Sequence, residues 1–153
     1  MTVHGYNRHV AQGTRTISEQ TAAIDAADAV DDVDALIADV FARNCPSRTV
    51  MENVSSKWGI LALAALADGP YRFGALRRRV DGVSERMLAQ TLQTLERDGM
   101  VTRDVQATIP PRVEYSLTPL GTKVAKKLLA TIQILEDAVP EVLAARAAYD
   151  SRH

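Results

Sequence analysis

Four polar side chains recur three or four residues apart within residues 84–98, namely Arg86, Gln90, Gln93 and Arg97. A helix turns about 100° per residue, so the four would share one helix face. In the major groove of DNA, arginine makes bidentate hydrogen bonds to guanine and glutamine makes them to adenine. The pattern predicts a helix that reads base pairs through Arg86, Gln90 and Gln93, with Ser84 and Met87 contacting DNA at its N-terminal end. A solvated surface helix is the alternative explanation of such a face.

Charge is unevenly distributed along the chain, although its net value is only −1. Residues 72–112 hold eight arginines against five carboxylates, whereas residues 1–44 hold seven carboxylates against three arginines. A localised basic segment in a nearly neutral protein favours a localised anionic partner. Solvated helix faces would explain the same charges without any partner.

Five cationic side chains are candidates for contacts with the DNA backbone, namely Lys57, Arg77, Arg78, Arg103 and Arg112. The arginines at 77–79 cannot all face one way on a helix, so we expect only Arg77 or Arg78 to touch a phosphate. Arg103 and Arg112 belong to a predicted hairpin beside the reading helix, where they can meet phosphates or the minor groove. Lys57 is either a phosphate contact or an ordinary surface lysine.

Residue types that enzymes use for nucleophilic or metal-assisted catalysis are scarce in this chain. The histidines, His4, His9 and His153, lie at the two ends, and Cys45 is the only cysteine. One cysteine excludes an internal disulfide and any multi-cysteine zinc or iron–sulfur site. We therefore predict that the protein is not an enzyme and has no catalytic residues, no metal site and no cofactor.

Hydropathy argues against a membrane location. The longest apolar run, Leu61 to Ala67, is far shorter than the roughly 20 residues that a membrane helix needs. The N-terminal residues contain no apolar stretch of signal-peptide length. We therefore expect a cytoplasmic protein without a membrane partner.

The N-terminal part of the chain divides into two predicted segments and a short helix. Residues 1–24 are polar and aperiodic, which is typical of a disordered tail. Over residues 25–43, apolar residues at helical spacing alternate with aspartates, which predicts an acidic amphipathic helix for dimerisation or as an extension. Pro46 then suits the first turn of a short helix. The side chains that this helix is predicted to bury are Val50, Met51 and Val54.

The centre of the chain predicts two short helices joined by a tight turn. Trp58 is predicted to pack in the core at the start of an apolar helix that precedes them. That helix must be central to the core. Residues 73–80 form the first short helix, Asp81-Gly82 the turn and residues 84–98 the second helix. Ser84 is a good N-cap because its hydroxyl can accept a hydrogen bond from an amide of the first turn. The buried stripe of the second helix is predicted to be Leu88, Leu92 and Leu95.

After the second helix the hydrophobic period changes from that of a helix to that of a strand. Residues 100–105 and 112–117 are predicted strands of a hairpin, in which Tyr115 faces the core. Thr118-Pro119 then opens a long last helix, which Pro140 should kink or restart. Its apolar stripe is too long for a small domain to cover, so we expect it to pair across a two-fold axis, the alternative being that the helix folds back on its own domain. The stripe consists of Val124, Leu128, Ile132 and Leu135.

This order of elements predicts a mainly α fold with a small β-hairpin, the winged helix–turn–helix, in a dimer with a long C-terminal helix. The DNA-binding domain is predicted over residues 45–120. The C-terminal dimerisation helix is predicted over residues 121–149.

Several runs of sequence between residues 45 and 135 occur in the same order in a known family. They are Cys45-Pro46, Lys57-Trp58, RFGALRR at 72–78, GVSERML at 82–88, LERDG at 95–99 and PPRVEYSLTPLG at 110–121. On these runs the chain resembles the HxlR family of bacterial and archaeal winged-helix transcription regulators. The resemblance implies a homodimer on a roughly palindromic operator, with the first and last helices forming the dimer. Two departures are Ser55-Ser56, where many members have Gly-Gly, and the longer acidic N-terminal segment.

Cys45 is the candidate sensor residue. The resemblance implies this role, because some members of the family sense electrophiles or oxidants through the cysteine of the Cys-Pro pair. Amides at the start of the following helix favour a thiolate, although the acidic segment nearby opposes it. A buried cysteine that acts as a small hydrophobic residue is the alternative.

The sequence therefore predicts a sequence-specific DNA-binding transcriptional regulator that acts as a homodimer in the cytoplasm of a bacterium or archaeon. Its partners would be double-stranded operator DNA, a second copy of itself and an oxidant, electrophile or small ligand. Two alternatives stay open. One is a winged-helix module that binds protein through its acidic N-terminal helix, and the other is a regulator controlled by a non-covalent ligand.

Overall fold

The computed structural model of the chain describes residues 39–153. The predicted tail, residues 1–24, lies outside the described residues, and so does most of the predicted acidic helix, residues 25–43. The chain divides into two compact units, residues 1–47 and residues 48–153.

The first unit has turns where the sequence predicts the end of the acidic helix. Residues 39–44 are not helical, which corrects the predicted end of that helix at residue 43. The Asp39 carboxylate accepts a hydrogen bond from the Phe41 amide at 3.1 Å. Local side-chain bonding of this kind competes with helical hydrogen bonding, so the chain turns instead.

Within residues 39–153 the chain forms six helices and three strands. The helices are α1 (Pro46–Ser55), α2 (Lys57–Leu66), α3 (Phe73–Arg79), α4 (Glu85–Arg97), α5 (Pro119–Asp137) and α6 (Val139–Asp150). The strands are β1 (Tyr71–Arg72), β2 (Val101–Gln106) and β3 (Arg112–Leu117). They form one antiparallel sheet in the order β1-β3-β2. This is the predicted winged helix–turn–helix, with α3 and α4 as the two helices of the motif and the β2–β3 hairpin as the wing.

The strand β1 was not predicted. Tyr71 pairs with Tyr115 and Arg72 pairs with Glu114, so the segment ahead of α3 becomes an edge of the wing sheet. Two residues are too few to show the alternating pattern of a strand. Only the remote partner strand makes this segment extended.

The core of the second unit is built around α2. Its side chains Leu63 and Leu66 are buried in one cluster with Leu76 of α3. The helix α4 adds its predicted stripe, Leu88, Leu92 and Leu95. Tyr115 of β3 also belongs to this cluster, which confirms that it packs in the core, and Trp58 packs partly buried against it.

The predicted burial of Met51 is wrong, because Met51 on α1 is 50% exposed. The helix α1 buries no residue completely, and only Val50 and Val54 pack partly against the core. Met51 lies about 100° from Val50 around the helix axis, so it falls outside that narrow contact stripe.

The start of α5 packs directly onto the backbone where β2 begins. A Cβ atom on Gly121 would collide with the Met100 carbonyl oxygen, so only glycine fits there. Thr118 caps α5, because its Oγ1 accepts a hydrogen bond from the Gly121 amide at 2.9 Å. The same hydroxyl donates to the Gly99 carbonyl at 2.6 Å, and the Thr118 amide donates to the Met100 carbonyl at 3.0 Å. The last long helix is therefore joined to the end of α4 and the start of the wing.

The predicted C-terminal helix, residues 121–149, restarts near Pro140 as expected and so forms the two helices α5 and α6. The break falls at Ala138, because Pro140 lacks an N–H group and its ring collides with the carbonyl one turn earlier. Val124 and Leu128, which were expected on the dimer surface, pack partly buried against the core of their own unit. Val124 and Leu128 therefore do not belong to the exposed apolar surface of this helix, which is formed by other side chains.

Gly121→Ala is expected to lower the free energy of unfolding by about 1–3 kcal/mol, the usual cost of forcing extra atoms into a packed site. Gly74→Ala is the matched control, because its added methyl group would meet only the Arg78 guanidinium, at 3.6 Å. Alanine within a helix is favoured over glycine by about 0.5–1 kcal/mol, so this control should be neutral or stabilising. Urea unfolding followed by circular dichroism, at one protein concentration, measures both variants. Equal midpoints would contradict the tight contact at Met100.

Candidate nucleic-acid interface

The turn between α3 and α4 sets the direction of α4. Gly82 has φ = +87°, a conformation that glycine adopts at little cost. Ser84 then caps α4, because its hydroxyl accepts a hydrogen bond from the Met87 amide at 3.1 Å. The Trp58 ring lies beside the turn, with Cη2 4.0 Å from the position of a Cβ atom on Gly82. The predicted turn and N-cap are therefore confirmed.

The outward face of α4 is polar and exposed. It carries the four predicted side chains, Arg86, Gln90, Gln93 and Arg97, and we call these four residues the reading face. The opposite face holds the three buried leucines, so the helix cannot rotate without unpacking the core. Within the described part of the chain, no side-chain hydrogen bond or ion pair engages any of the four. Their hydrogen-bonding groups are therefore available to a partner.

Met87 adds an apolar group beside the reading face. Its side chain is 42% exposed and lines, with Gln90, a groove of about 270 Å³ between α1 and α4. The spacing of these two helices is held by Asn53, whose Nδ2 donates to Asp98 Oδ2 at 2.8 Å. The exposed Met87 side chain could therefore make apolar contact with a thymine methyl group.

The two candidate arginines of α3 differ in what they touch. Arg77 Nη1 lies 3.1 Å from Glu85 Oε1, and Arg77 Nε donates to the Val83 carbonyl at 3.4 Å. Arg77 thus joins the end of α3 to the start of α4, a pairing that exists only once the turn has folded. Arg78 is exposed and makes no side-chain hydrogen bond or ion pair within residues 39–153. Both line an open depression of about 680 Å³ together with Ser84.

Lys57 is exposed at the first residue of α2. Its Nζ atom lies 4.6 Å from the centre of the Trp58 ring, which is a cation–π distance. Because the same ring lies beside Gly82, it links the Lys57 ammonium group to the α3–α4 turn.

The wing carries its two arginines on opposite faces. Arg103 pairs with the buried Tyr115, whereas Arg112 pairs with Gln106 nearer the tip. Positions 103 and 106 are three residues apart on β2, so their side chains point to opposite sides of the sheet. The hairpin was expected to set both arginines beside the reading helix, but only Arg103 shares the core-facing side with Tyr115.

Two exposed residues near the wing were missed by the sequence analysis. Arg72 of β1 lies opposite Glu114, on the same face of the sheet as Arg112. Ile109, in the loop between β2 and β3, is fully exposed. The position of Arg72 in the sheet depends on the strand register, which the sequence does not show. The exposure of Ile109 could have been predicted, because it precedes two prolines in the loop of the predicted hairpin.

Cys45 belongs to the first unit and immediately precedes α1. Its side chain is buried, with 4% of its surface exposed, and its Sγ atom lies 2.9 Å from Ser47 Oγ. Reactive cysteines are usually partly exposed, whereas buried ones tend to be inert. Burial therefore restricts the access of reagents to the Cys45 sulfur.

Neither a metal cluster nor a membrane helix is found in the part of the chain that the structure describes. No group of three or more histidine, cysteine, aspartate or glutamate residues there could hold a metal ion. No helix among these residues is both long and apolar enough to cross a membrane.

Comparison with known proteins relates residues 53–142 to a family described as HxlR-like helix-turn-helix. An uncharacterized HTH-type transcriptional regulator, YtfH of Escherichia coli, is 53% identical over 107 residues, which are 70% of this chain and 85% of the relative. The solved structure of YtfH from Salmonella typhimurium is 52% identical, with a TM-score of 0.68, and the match covers 71% of this chain and 97% of that one. The redox regulator HypR in its oxidized form is 34% identical, with a TM-score of 0.56, over 61% of this chain and 96% of that one.

Proposed function

The chain belongs to the HxlR-like helix-turn-helix family of transcriptional regulators, and we propose that it binds operator DNA as a homodimer with α4 in the major groove. The observation that carries the proposal is the exposed, unengaged reading face of α4. A major groove about 12 Å wide admits one helix together with its side chains. Arg86, Gln90 and Gln93 would read base pairs, while Ser84 and Met87 would contact the DNA where the helix begins.

Four cations would bind the DNA backbone, namely Lys57, Arg78, Arg103 and Arg112. All four are exposed, and none is in an ion pair within the described residues, so their charge is available to phosphates. Arg77 differs, because a phosphate would have to share it with Glu85. We therefore assign Arg78 as the phosphate ligand of α3 and Arg77 as the residue that positions α3 against α4.

A second copy of the chain would cover the apolar surface of α5 and α6. The large apolar side chains exposed there are Leu120, Leu129, Ile134, Leu135, Val139, Val142, Leu143 and Tyr149. The helix α6 buries no residue within the protomer. Helices of this length in proteins owe most of their stability to packing, so α6 needs a partner surface.

Dimerisation through these helices would divide the chain by role. Residues 45–120 would bind DNA and residues 121–149 would form the dimer, which sets the two α4 helices about 34–36 Å apart, one turn of DNA. A contribution of residues 25–43 to the dimer stays a prediction, because most of that segment lies outside the described residues.

A protein-interaction module is the alternative use of the same fold. The membership in a family of transcriptional regulators favours DNA as the partner. Salt separates the two, because each neutralised phosphate contributes about −0.9 to the slope of log affinity against log salt. A regulator controlled by a non-covalent ligand would show this slope too and would differ only in its effector.

A response to oxidants or electrophiles through Cys45 is a second proposal. Its support is the similarity to the redox regulator HypR and the place of Cys45 immediately before α1. Because the thiol is buried, the structure around Cys45 would have to open before a reagent reaches the sulfur. Since the chain has one cysteine, any disulfide would join two chains or one chain and a small thiol.

Gln90→Ala is expected to cost about 1–3 kcal/mol of discrimination between operator and random DNA, because a bidentate base contact is lost. The operator is obtained by selection from random duplexes with the full chain, and affinities are measured by fluorescence anisotropy. Arg112→Ala should weaken both DNAs about equally and reduce the salt slope by about one phosphate. Gln133→Ala, on the exposed surface of α5, is the matched control and should leave specificity unchanged. If both Gln90→Ala and Gln93→Ala kept the specificity of the wild type, the proposed placement of α4 in the major groove would be wrong.

The dimer proposal predicts that the protein sediments as a dimer at micromolar concentration. Leu135→Asp should shift it towards the monomer, since a charge in the apolar interface would lose its hydration. Val105→Asp serves as the control, because Val105 is similarly exposed but lies on the wing strand β2. A monomeric wild-type protein would contradict the dimer outright.

Treatment with diamide or a quinone is expected to weaken DNA binding by the wild type, whereas Cys45→Ser should bind DNA equally before and after treatment. Modification should be slow and should accelerate under mild urea, because the buried thiol reacts only from an opened state. Mass spectrometry follows the modification and anisotropy follows the binding. Full DNA affinity in a protein whose Cys45 is modified would end the sensor proposal.

A further inference from the structure

The tip of the wing presents an apolar side chain to solvent. Ile109 has a relative exposure of 103%, the highest among the large apolar side chains of residues 39–153. The tip is held by two short hydrogen bonds, from the Thr108 hydroxyl to the Pro110 carbonyl and from the Thr108 amide to the Gln106 carbonyl, both at 2.8 Å. Pro110 and the residue after it are prolines, which fix their φ angles. Ile109 therefore stands on a stiff tip with no contact from its own chain to cover it.

The two faces of the ribbon below this tip each carry a guanidinium group. Arg103 and Arg112 lie on opposite faces, as the pairing of β2 with β3 requires. The two walls of a DNA groove are both lined with phosphates. A two-stranded ribbon with a cation on each face and an apolar tip is therefore complementary to a groove in charge and in shape.

Two carboxylates limit how far such a ribbon can enter. Asp104 and Glu114 are directly opposite each other, on the same face as Arg112. They lie two residues further from the tip than the Gln106–Arg112 pair, about 7 Å along the strands. Arg72 of β1 lies on the other side of Glu114, so these three side chains together leave one net negative charge at this level, and that charge repels phosphates. On the face that carries Arg112, only the part of the wing beyond this pair is thus suited to contact DNA, whereas Arg103 lies on the other face and is not restricted by it.

We propose that Ile109 enters the minor groove beside each half-site as an apolar wedge, and that Asp104 and Glu114 stop the wing at that depth. The inference rests on the proposed DNA-binding function and deepens it. Apolar side chains inserted from the minor groove partly unstack a base step and bend the duplex. Ile109 thereby favours sites whose flanking steps deform easily, although it makes no hydrogen bond to a base.

The test uses the full chain and a duplex that the wild type has selected from random DNA. Ile109→Ala should bind about tenfold more weakly, because most of the buried apolar surface of the wedge is lost. It should also reduce a wild-type bend of at least about 20°, measured by circular-permutation gels or by energy transfer between dyes at the two ends of the duplex. Ile109→Leu should keep both properties. Because the side chain is fully exposed, urea unfolding should give the same midpoint for all three proteins.

The depth stop is tested separately with the double variant Asp104→Asn, Glu114→Gln. Its affinity for random duplexes should rise severalfold and its salt slope should steepen, since two repelled phosphates become accessible. If the affinity and the salt slope were unchanged, the proposal that Asp104 and Glu114 limit the depth of the wing would be wrong.

The outcomes separate the wedge from the function on which it rests. Equal affinity and equal bend for Ile109→Ala and the wild type would overturn the wedge and would leave the exposed tip as a contact for protein. A wild type that selects no duplex at all would overturn the proposed DNA binding itself, and the wedge with it.

Discussion

The arrangement of this protein depends on how closely the first turn of α5 approaches the backbone at Met100. Gly121 permits that approach, and the Thr118 hydroxyl bridges the Gly121 amide and the Gly99 carbonyl. Three elements meet at this one point, namely the end of α4, the start of β2 and the start of α5. Since α4 carries the reading face and α5 carries exposed apolar surface, the contact fixes the position of one surface relative to the other. A change in how two copies pair would therefore be passed to both α4 helices.

Charge placement around the motif follows a second constraint. Arg77 is neutralised by Glu85 and holds the turn, whereas Arg78 nearby keeps its charge exposed. In the wing, the opposed Asp104 and Glu114 sit away from the tip, while Arg112 sits towards it. The net charge of the chain is close to zero, so any attraction to an anion has to arise from this local separation. The placement of the charged side chains, and not the net charge, therefore determines where the protein has a basic surface.

Much of the fold was predictable because its signals are local. Helix periods, the Ser84 cap, the Asp81-Gly82 turn and the Thr118-Pro119 start each involve residues within one or two turns of each other, and the structure confirms them. The composition of the reading face was predictable for the same reason, since a helix face depends only on spacing along the chain. Its contacts with DNA stay a prediction, as do those of the other candidate site residues.

The sequence by itself thus determined the order of the elements, the winged helix–turn–helix plan and the polar face of α4. Tertiary structure alone decided that Tyr71 and Arg72 form a strand, that Arg103 and Arg112 lie on opposite faces, and that Val124 and Leu128 turn inwards. The same holds for the Arg77–Glu85 pair and for the burial of Cys45. Each of these depends on which remote segment lies alongside, and a strand register or a packing stripe that is off by one residue reverses the outcome. No pattern within a single segment carries that information.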